Sequence, residues 1–188
     1  MVEIDPHDFD SYDIESVAVD PDHCHRCGAE LGTCTFEGRE HPWCSECELV
    51  LSRNPVPGVQ VVVHDGDHVL LLDEPIPQHE GVWSLPGGHE KYDEGPKQAL
   101  VRELEEETGL SADPSDPEFL TIYHAEFPSI SLYLITYVLE RSKISGELTP
   151  EAEGVKVEFL PVEEVLSSPD RLRNSDRERI EMTLDTSG

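Results

Sequence analysis

The clearest periodic pattern in the chain is helical and covers residues 96–108. One face of this segment carries Lys97, Leu100, Val101, Leu104 and Thr108, at spacings of three and four. Pro96 suits a helix start because it lacks the amide hydrogen that a first turn leaves unpaired. Gly109 suits the end because glycine readily turns left-handed. The pattern therefore predicts an amphipathic helix between these two residues.

Shorter apolar runs on both sides of this helix predict strands. Residues 59–64 and 68–72 are split by Asp65-Gly66-Asp67, which predicts a hairpin. Further predicted strands are residues 118–126, 129–139 and 155–160, and further predicted helices are residues 162–166 and 175–184. Strands interleaved with a long amphipathic helix indicate an α/β protein.

Acidic residues greatly outnumber basic ones along the whole chain. The 188 residues include 41 Asp and Glu against 13 Lys and Arg, for a net charge of −28. This imbalance destabilises a compact state in dilute salt, whereas a Debye length of ~3 Å at 1 M salt screens the repulsion. The composition predicts a protein from a halophile, with an ordinary acidic protein as the alternative.

The length fits one ordinary domain and a small module. Residues 1–20 contain no long apolar run, so we expect an acidic leader and neither a signal peptide nor a membrane span, which predicts a cytoplasmic protein. The remaining predicted segments are a cysteine-containing module at 21–50, a linker at 51–58, a main α/β domain at 59–168 and a C-terminal helical extension at 169–188.

Three glutamates project from the flank of the predicted helix. Glu103, Glu106 and Glu107 are three and four positions apart, so their carboxylates converge and repel one another unless a cation lies among them. Carboxylate oxygens favour a hard divalent ion such as magnesium, manganese or calcium. Magnesium also binds phosphates, which points to a phosphate-bearing substrate. The alternative is a solvated glutamate-rich helix.

These glutamates belong to a longer motif that resembles the signature box of the Nudix hydrolases. That box reads Gly-x5-Glu-x7-Arg-Glu-aliphatic-x-Glu-Glu-x-Gly-aliphatic. Its specified positions are matched by Gly88, Glu94, Arg102, Glu103, Leu104, Glu106, Glu107, Gly109 and Leu110. The preceding residues 83–88, Trp-Ser-Leu-Pro-Gly-Gly, are similar to the family's approach to the box. The resemblance implies an α/β/α Nudix sandwich with a mixed sheet.

The resemblance also implies a role for each matching residue. Glu103, Glu106 and Glu107 would bind Mg²⁺ or Mn²⁺, with the carbonyl of Gly87 as a further ligand. Arg102 would hold Glu94 in a charge-assisted pair. The general base would be Glu103, Glu151 or Glu153, in that order. Gly87, Gly88 and Trp83 would line the substrate site. A water polarised by the metal would attack a diphosphate phosphorus.

A second constellation precedes this motif. Cys24 and Cys27 form one Cys-x2-Cys knuckle, Cys44 and Cys47 form another, and sixteen residues separate them, as in a four-cysteine zinc ribbon. Four thiolates leave no open coordination position, so this Zn²⁺ would be structural. Disulfides or a redox dithiol are the alternative. We interpret Cys34 as a small apolar filler.

A zinc ribbon before a Nudix domain is similar to the arrangement of the NADH pyrophosphatases. However, residues 111–117 read Ser-Ala-Asp-Pro-Ser-Asp-Pro where those enzymes carry Ser-Gln-Pro-Trp-Pro-Phe-Pro. We therefore predict Mg²⁺-dependent hydrolysis of a nucleoside diphosphate linked to another moiety, with ADP-ribose or NAD(H) as leading substrates. Nucleoside triphosphates are the rival substrates.

A non-catalytic ligand sensor or nucleic-acid-binding module is the alternative of another class. The complete box argues against a sensor. Nucleic acid is not expected as a partner, because Arg26 and Arg39 are the only Lys or Arg residues between residues 20 and 50. A small nucleotide is the expected partner, no membrane is expected, and the sequence leaves a homodimer open.

Overall fold

The structure is a computed structural model that describes residues 2–3, 13–17, 20–73, 81–126 and 131–186. The chain divides into two units, residues 1–56 with 125–132, and residues 57–124 with 133–188. Among the described residues, none of the helices combines the length and apolar character needed to cross a membrane.

The first unit contains a five-stranded sheet in the order β1-β3-β4-β5-β2. Its strands are β1 (Val2–Glu3), β2 (Asp13–Val17), β3 (Gly32–Phe36), β4 (Arg39–Cys44) and β5 (Leu49–Arg53). The hairpin between β3 and β4 turns at Glu37 and Gly38, which have φ values of 50° and 75°. Glycine adopts such left-handed values freely, and the pair therefore suits a tight turn.

Two predicted segment boundaries in this region are wrong. The residues predicted as a solvated leader include β1 and β2, and β2 pairs in parallel with β5. The predicted linker at 51–58 overlaps β5 and the following strand, so that Asn54 and Pro55 are the two residues between them. The prolines suggested a linker, but a strand tolerates proline at its start or at an edge.

The second unit is built on a seven-stranded mixed sheet with the main order β11-β12-β6-β7-β14. Its long strands are β6 (Val56–Asp65), β7 (His68–Asp73), β11 (Glu118–Glu126), β12 (Ser131–Glu140) and β14 (Lys156–Pro161). Short β8 (Trp83–Ser84) pairs with β7, and short β9 (Gly87–His89) pairs with β6. A separate pair joins β10 (Leu110–Ala112) to β13 (Ile144–Gly146).

Helices cover both faces of this sheet. On one face α1 (Pro96–Thr108) packs Leu100 and Leu104 against alternate residues of β6, including Val59 and Val61. The opposite face packs Val62 against α2 (Val162–Ser167) and α3 (Asn174–Thr186). The fold is therefore the α/β/α sandwich implied by the resemblance, with side chains alternating between the two faces of each strand.

The C-terminal segment is part of this core. Leu172 and Ile180 lie in the same buried cluster as Val62 and Leu71, so residues 169–186 are not an appendage to a domain ending at residue 168. The sequence pattern identified the helix but could not show which sheet face it covers.

The predicted ends of α1 are confirmed. Pro96 is its first residue, and the backbone N–H of Gly95 donates to Gln98 Oε1 at 3.0 Å. Gly109 ends the helix with a φ of 72° and donates its N–H to Glu105 O at 2.9 Å. A Cβ at Gly109 would lie 2.7 Å from Glu147 O, so both conformation and space require glycine there.

Candidate functional site

The loop before α1 approaches its neighbours so closely that one position has no room for a side chain and a side chain at the next would displace a box glutamate. In the β6–β9 ladder, Gly87 pairs with Gln60. A Cβ at Gly87 would lie 2.2 Å from Val59 O, and a Cβ at Gly88 would lie 2.3 Å from the carboxyl carbon of Glu103. The missing side chains therefore let the Glu103 carboxylate lie directly against the loop.

Arg102 is the centre of the box geometry. Its Nε and Nη2 donate to the two carboxylate oxygens of Glu94 at 2.6 and 2.8 Å, which is the pair that the sequence predicts. Its Nη1 donates to Glu103 at 2.7 Å and to Glu106 at 2.9 Å, and Nη2 also donates to His89 O at 3.0 Å. One guanidinium thus holds the loop against the helix through a bidentate contact.

These contacts change the acidity of the groups involved. The hydrogen bonds from Arg102 are the largest influence on Glu94 and, against the effect of burial, lower its pKa to about 2. The same pairing raises the pKa of Arg102 above its ordinary range. Both groups therefore stay charged across the whole neutral range, and the ion pair persists there.

The third box glutamate contacts the loop directly. Glu107 Oε2 accepts the backbone N–H of Gly87 at 2.9 Å. Glu106 Oε1 lies 3.8 Å from Lys91 Nζ. The box has four carboxylates when Glu94 is included, and two cations, Arg102 and Lys91, pair with members of this set. The region therefore keeps an excess of negative charge. Carboxylate oxygens with surplus negative charge fit a hard dication such as Mg²⁺ or Mn²⁺.

The four predicted zinc ligands come together as a compact cluster. The Sγ atoms of Cys24, Cys27, Cys44 and Cys47 all lie within 4.8 Å of one another. The Cys24–Cys47 and Cys27–Cys44 Sγ distances are 4.0 and 3.6 Å. A tetrahedral site with Zn–S bonds of about 2.3 Å implies Sγ separations of about 3.8 Å, so the cluster fits zinc.

Backbone geometry supports both cysteine knuckles. Gly28 follows the first knuckle with a φ of 76°, and Glu48 follows the second with a φ of 53°. Burial raises the pKa of the Cys24 thiol, but backbone hydrogen bonds from Cys27 and Arg26 outweigh it and lower that pKa to about 6. A thiolate in the cluster is the form that binds metal.

None of the five cysteines is joined in a disulfide, and the four-Sγ geometry favours the metal cluster over the disulfide alternative. Cys34 is fully buried in a cluster with Phe36 and Val50, as expected for an apolar filler.

The two candidate metal sites differ in whether their ligand atoms converge. Within the described ranges, the cysteines are the one set of three or more His, Cys, Asp or Glu ligand atoms that converges. The box carboxylates instead point to Arg102 and to the Gly87 N–H. Binding a dication there would require Glu103 and Glu106 to exchange part of their contact with Arg102 for the metal.

The remaining predicted site residues differ in exposure. Glu151 and Glu153 are exposed in the loop between β13 and β14, so their assignment as bases stays a prediction. Trp83 is only 5% exposed and packs with Leu85 and Val165 in the core. An indole among apolar side chains contributes to packing, and the role of Trp83 in substrate binding stays a prediction.

Sequence reasoning missed two polar features next to the box. Asp176, on α3, is 1% exposed and accepts the backbone N–H of Leu85 at 3.2 Å. Glu90 is half-buried, and burial, followed by the nearby Glu94 charge, raises its pKa. No local signal reveals Asp176, since it lies 91 residues from its partner. For Glu90, the available signal was an acid where many Nudix boxes carry valine.

Comparison with known proteins agrees with this geometry. The NUDIX domain family model matches residues 54–182, so the chain belongs to the Nudix family. The E. coli ORF135 protein, known from a solution structure, has 25% sequence identity and a TM-score of 0.59. That match covers 72% of this chain and 92% of ORF135.

Three relatives are named for different activities. The m7GpppN-mRNA hydrolase NUDT17 of Danio rerio is 32% identical over 56% of this chain and 41% of its own length. The ADP-ribose pyrophosphatase of Methanocaldococcus jannaschii is 28% identical over 56% of this chain and 62% of its own length. The 8-oxo-dGTP diphosphatase of Proteus vulgaris is 33% identical over 53% and 87%. The matches thus span less than two thirds of the first two relatives.

Proposed function

We propose that this Nudix hydrolase cleaves the diphosphate of a nucleoside diphosphate linked to another moiety, with ADP-ribose or NAD(H) as leading substrates. Water adds across the P–O–P bridge, and a nucleoside monophosphate and a second phosphorylated product leave. The observation that carries the proposal is the complete box, in which Arg102 joins Glu94, Glu103 and Glu106. The similarity to an ADP-ribose pyrophosphatase favours this substrate class.

Each residue of the box has a separate proposed role. Glu103, Glu106, Glu107 and the carbonyl of Gly87 would hold Mg²⁺ or Mn²⁺. The bound ion would polarise the attacking water and neutralise charge on the non-bridging oxygens. Arg102 and Glu94 keep the loop and helix in register. Glu103 is the first candidate to accept the water's proton, followed by Glu151 and Glu153.

A nucleoside triphosphate is the second candidate substrate. The 8-oxo-dGTP diphosphatase relative favours it, because that protein matches this chain over 87% of its length. The two possibilities predict different products: triphosphate hydrolysis releases pyrophosphate, whereas the leading proposal releases AMP from ADP-ribose. A non-catalytic sensor is disfavoured because all four box glutamates are present.

The ribbon would contribute stability and not chemistry. Four cysteine ligands fill a tetrahedral zinc site, so no position remains for a substrate.

We also propose that the protein works in concentrated salt in the cytoplasm of a halophile. The net charge of −28 supports this proposal, since surface repulsion falls as ionic strength rises. The unfolding temperature should rise from low to molar potassium chloride. Equal stability at both salt concentrations would rule out the halophilic interpretation.

The decisive activity experiment compares two glutamates on the same helix. The wild type, Glu106→Gln and Glu105→Gln are incubated in molar potassium chloride with Mg²⁺ and, separately, ADP-ribose, NADH, NAD and nucleoside triphosphates. Glu105 is exposed and lies outside the fixed box positions, which makes it the matched control. We expect AMP from the wild type and the control, and loss of turnover in Glu106→Gln.

Other results would redirect the proposal. Release of pyrophosphate from triphosphates alone would favour the rival substrate class. If wild type turns over none of these compounds yet binds RNA or DNA tightly in a salt-dependent way, the sensor class is favoured.

A further inference from the structure

A buried polar cluster lies on the face of the sheet that α2 and α3 cover. It consists of Gln60, Thr136, Asp176 and Arg179, which are 6% exposed or less. The surrounding core on this face is apolar and includes Val62, Leu85 and Ile180. Burying a charged pair is unfavourable unless its hydrogen bonds are well formed, so the cluster calls for an explanation beyond packing.

Asp176 is the hub of this cluster. Its Oδ1 accepts hydrogen bonds from Gln60 Nε2 at 3.0 Å and from Arg179 Nη1 at 3.5 Å. Its Oδ2 accepts the backbone N–H of Leu85 at 3.2 Å. Arg179 in turn donates from Nε to Thr136 Oγ1 at 3.0 Å. One carboxylate therefore connects α3, the central strand β6 and the loop that leads into the box.

The loop from Leu85 to Gly87 is held by a different element at each residue. Leu85 N–H donates to Asp176 on α3, and Pro86 O accepts the N–H of Val61 on β6 at 2.9 Å. Gly87 N–H donates to Glu107 on α1 at 2.9 Å. The carbonyl of Gly87, a proposed metal ligand, belongs to the same short segment. A shift at Leu85 therefore reaches the metal-binding loop within two residues.

We propose that Asp176 is a positioning residue that holds the loop at residues 85–87 in the geometry needed for metal binding in the box. This inference rests on the proposed function, since it assumes that the box binds Mg²⁺ or Mn²⁺. Residues that orient metal ligands commonly change metal affinity or activity by about 10- to 100-fold when mutated. The contact that matters is the acceptor for the Leu85 N–H and not the negative charge.

Two substitutions at one position separate these roles. Asp176→Ala removes the acceptor, whereas Asp176→Asn keeps an oxygen for the Leu85 N–H and loses the charge. A flip of the Gln60 amide would turn its Oε1, which has no hydrogen-bond partner among the described residues, towards the asparagine NH₂. The long 3.5 Å contact from Arg179 Nη1 would then lose its acceptor. Arg179→Met is the matched control for disturbance of the buried cluster, because it leaves the Asp176–Leu85 contact in place.

The measurement is Mn²⁺ binding to the full zinc-loaded chain in molar potassium chloride, followed by electron paramagnetic resonance of the free ion. Glu106→Gln identifies the signal that belongs to the box. We expect Asp176→Ala to weaken Mn²⁺ binding about 10- to 100-fold, and Asp176→Asn and Arg179→Met to stay near wild type. In steady-state kinetics, Asp176→Ala should lower kcat and leave the KM for the nucleotide nearly unchanged.

Each contrary result has a separate meaning. If the wild type binds Mn²⁺ but Asp176→Ala binds it equally well, the positioning role is overturned and the proposed function stands. If Asp176→Asn binds Mn²⁺ as weakly as Asp176→Ala, or raises the KM for the nucleotide instead, the negative charge of Asp176 is what matters for binding. The inference is then also overturned. If the wild type has no Mn²⁺ site that depends on Glu106, the proposed function fails and this inference fails with it.

A folding defect can be distinguished from a positioning defect. Circular dichroism and the unfolding temperature are measured for every variant, and Arg179→Met should lower the unfolding temperature without changing Mn²⁺ affinity. If Asp176→Ala does not fold, Asp176→Glu replaces it, because it keeps the charge but moves the acceptor by one methylene. The same loss of Mn²⁺ affinity is expected, and unchanged affinity would overturn the proposal.

Discussion

The two candidate metal sites of this chain use opposite chemistry. The ribbon site has four thiols whose Sγ atoms already lie within 4.8 Å of one another. The box site has carboxylates that Arg102 and the Gly87 N–H hold in place. A closed set of soft ligands suits a permanent structural ion, whereas carboxylates that must exchange partners suit a hard ion that arrives with a substrate.

The hydrophobic cores around the two sites also differ in size. We call residues 1–56 with 125–132 the ribbon unit and residues 57–124 with 133–188 the Nudix unit. Among the described residues, the ribbon unit has hydrophobic clusters of three and four buried side chains, and the Nudix unit has clusters of thirteen and nine. Small clusters stabilise a fold weakly, so we expect the ribbon unit to depend on a bound metal for folding and the Nudix unit to fold without one. Loss of metal should therefore unfold the first site and leave the second folded.

The largest expected effect is loss of zinc from the ribbon. Cys44→Ser removes a fully buried ligand, and structural zinc in finger peptides contributes apparently ~10–16 kcal/mol. The variant should lack stoichiometric zinc and expose the ribbon to proteolysis. Zinc content and limited proteolysis measure this result, with Cys34→Ala as the cysteine control that should keep its zinc. A full zinc complement in Cys44→Ser would contradict the structural assignment.

The second prediction concerns the loop glycine of the box. Gly88→Ala places a Cβ 2.3 Å from the Glu103 carboxyl carbon, so that carboxylate must move. A displacement of about 1 Å can lower activity on the order of 100-fold. The turnover rate should fall while the unfolding temperature changes little. Gly95→Ala is the control, because its Cβ meets nothing closer than 3.6 Å; equal activity of both variants would show that Glu103 tolerates displacement.

A smaller effect is expected from Arg102→Lys. Lysine cannot reproduce the bidentate contact with Glu94, and hydrogen bonds to charged groups contribute roughly 1.5–3 kcal/mol. Urea unfolding at neutral pH should show a loss within that range, without loss of zinc. Arg141→Lys is the matched control, since within the described ranges the Arg141 side chain makes one hydrogen bond, to Ile144 O. Equal losses in the two variants would indicate that the bidentate geometry is unimportant.

The smallest expected effect is the pH dependence contributed by Glu94. Its pKa is lowered to about 2 in the fold from an ordinary value of 4.5, so its ionised form stabilises the protein above pH 4.5. This contribution is lost as pH falls from 4.5 towards 2. Glu94→Gln should therefore be less stable than wild type at neutral pH, and the difference should shrink below pH 4.5. If urea unfolding shows the same difference in stability between wild type and Glu94→Gln down to pH 2.5, the contribution of ionised Glu94 is contradicted.

Local features were predictable because they depend on spacing along the chain. The ends of α1 follow from Pro96 and Gly109, and the Arg102–Glu94 contact follows from the box motif. The cysteine cluster likewise follows from two knuckles at a known spacing. The 65–67 turn also correctly predicted the hairpin of β6 and β7.

Tertiary structure alone decided which distant segments pair. The sequence by itself determined the box, the cysteine knuckles and the bounds of α1, because helical periodicity and ligand spacing are local. Strand β2 beside β5, α3 over the sheet, buried Trp83 and the contact of Asp176 with Leu85 all join residues far apart along the chain. Such contacts depend on which apolar faces are buried together, and one chain's local pattern does not specify that choice.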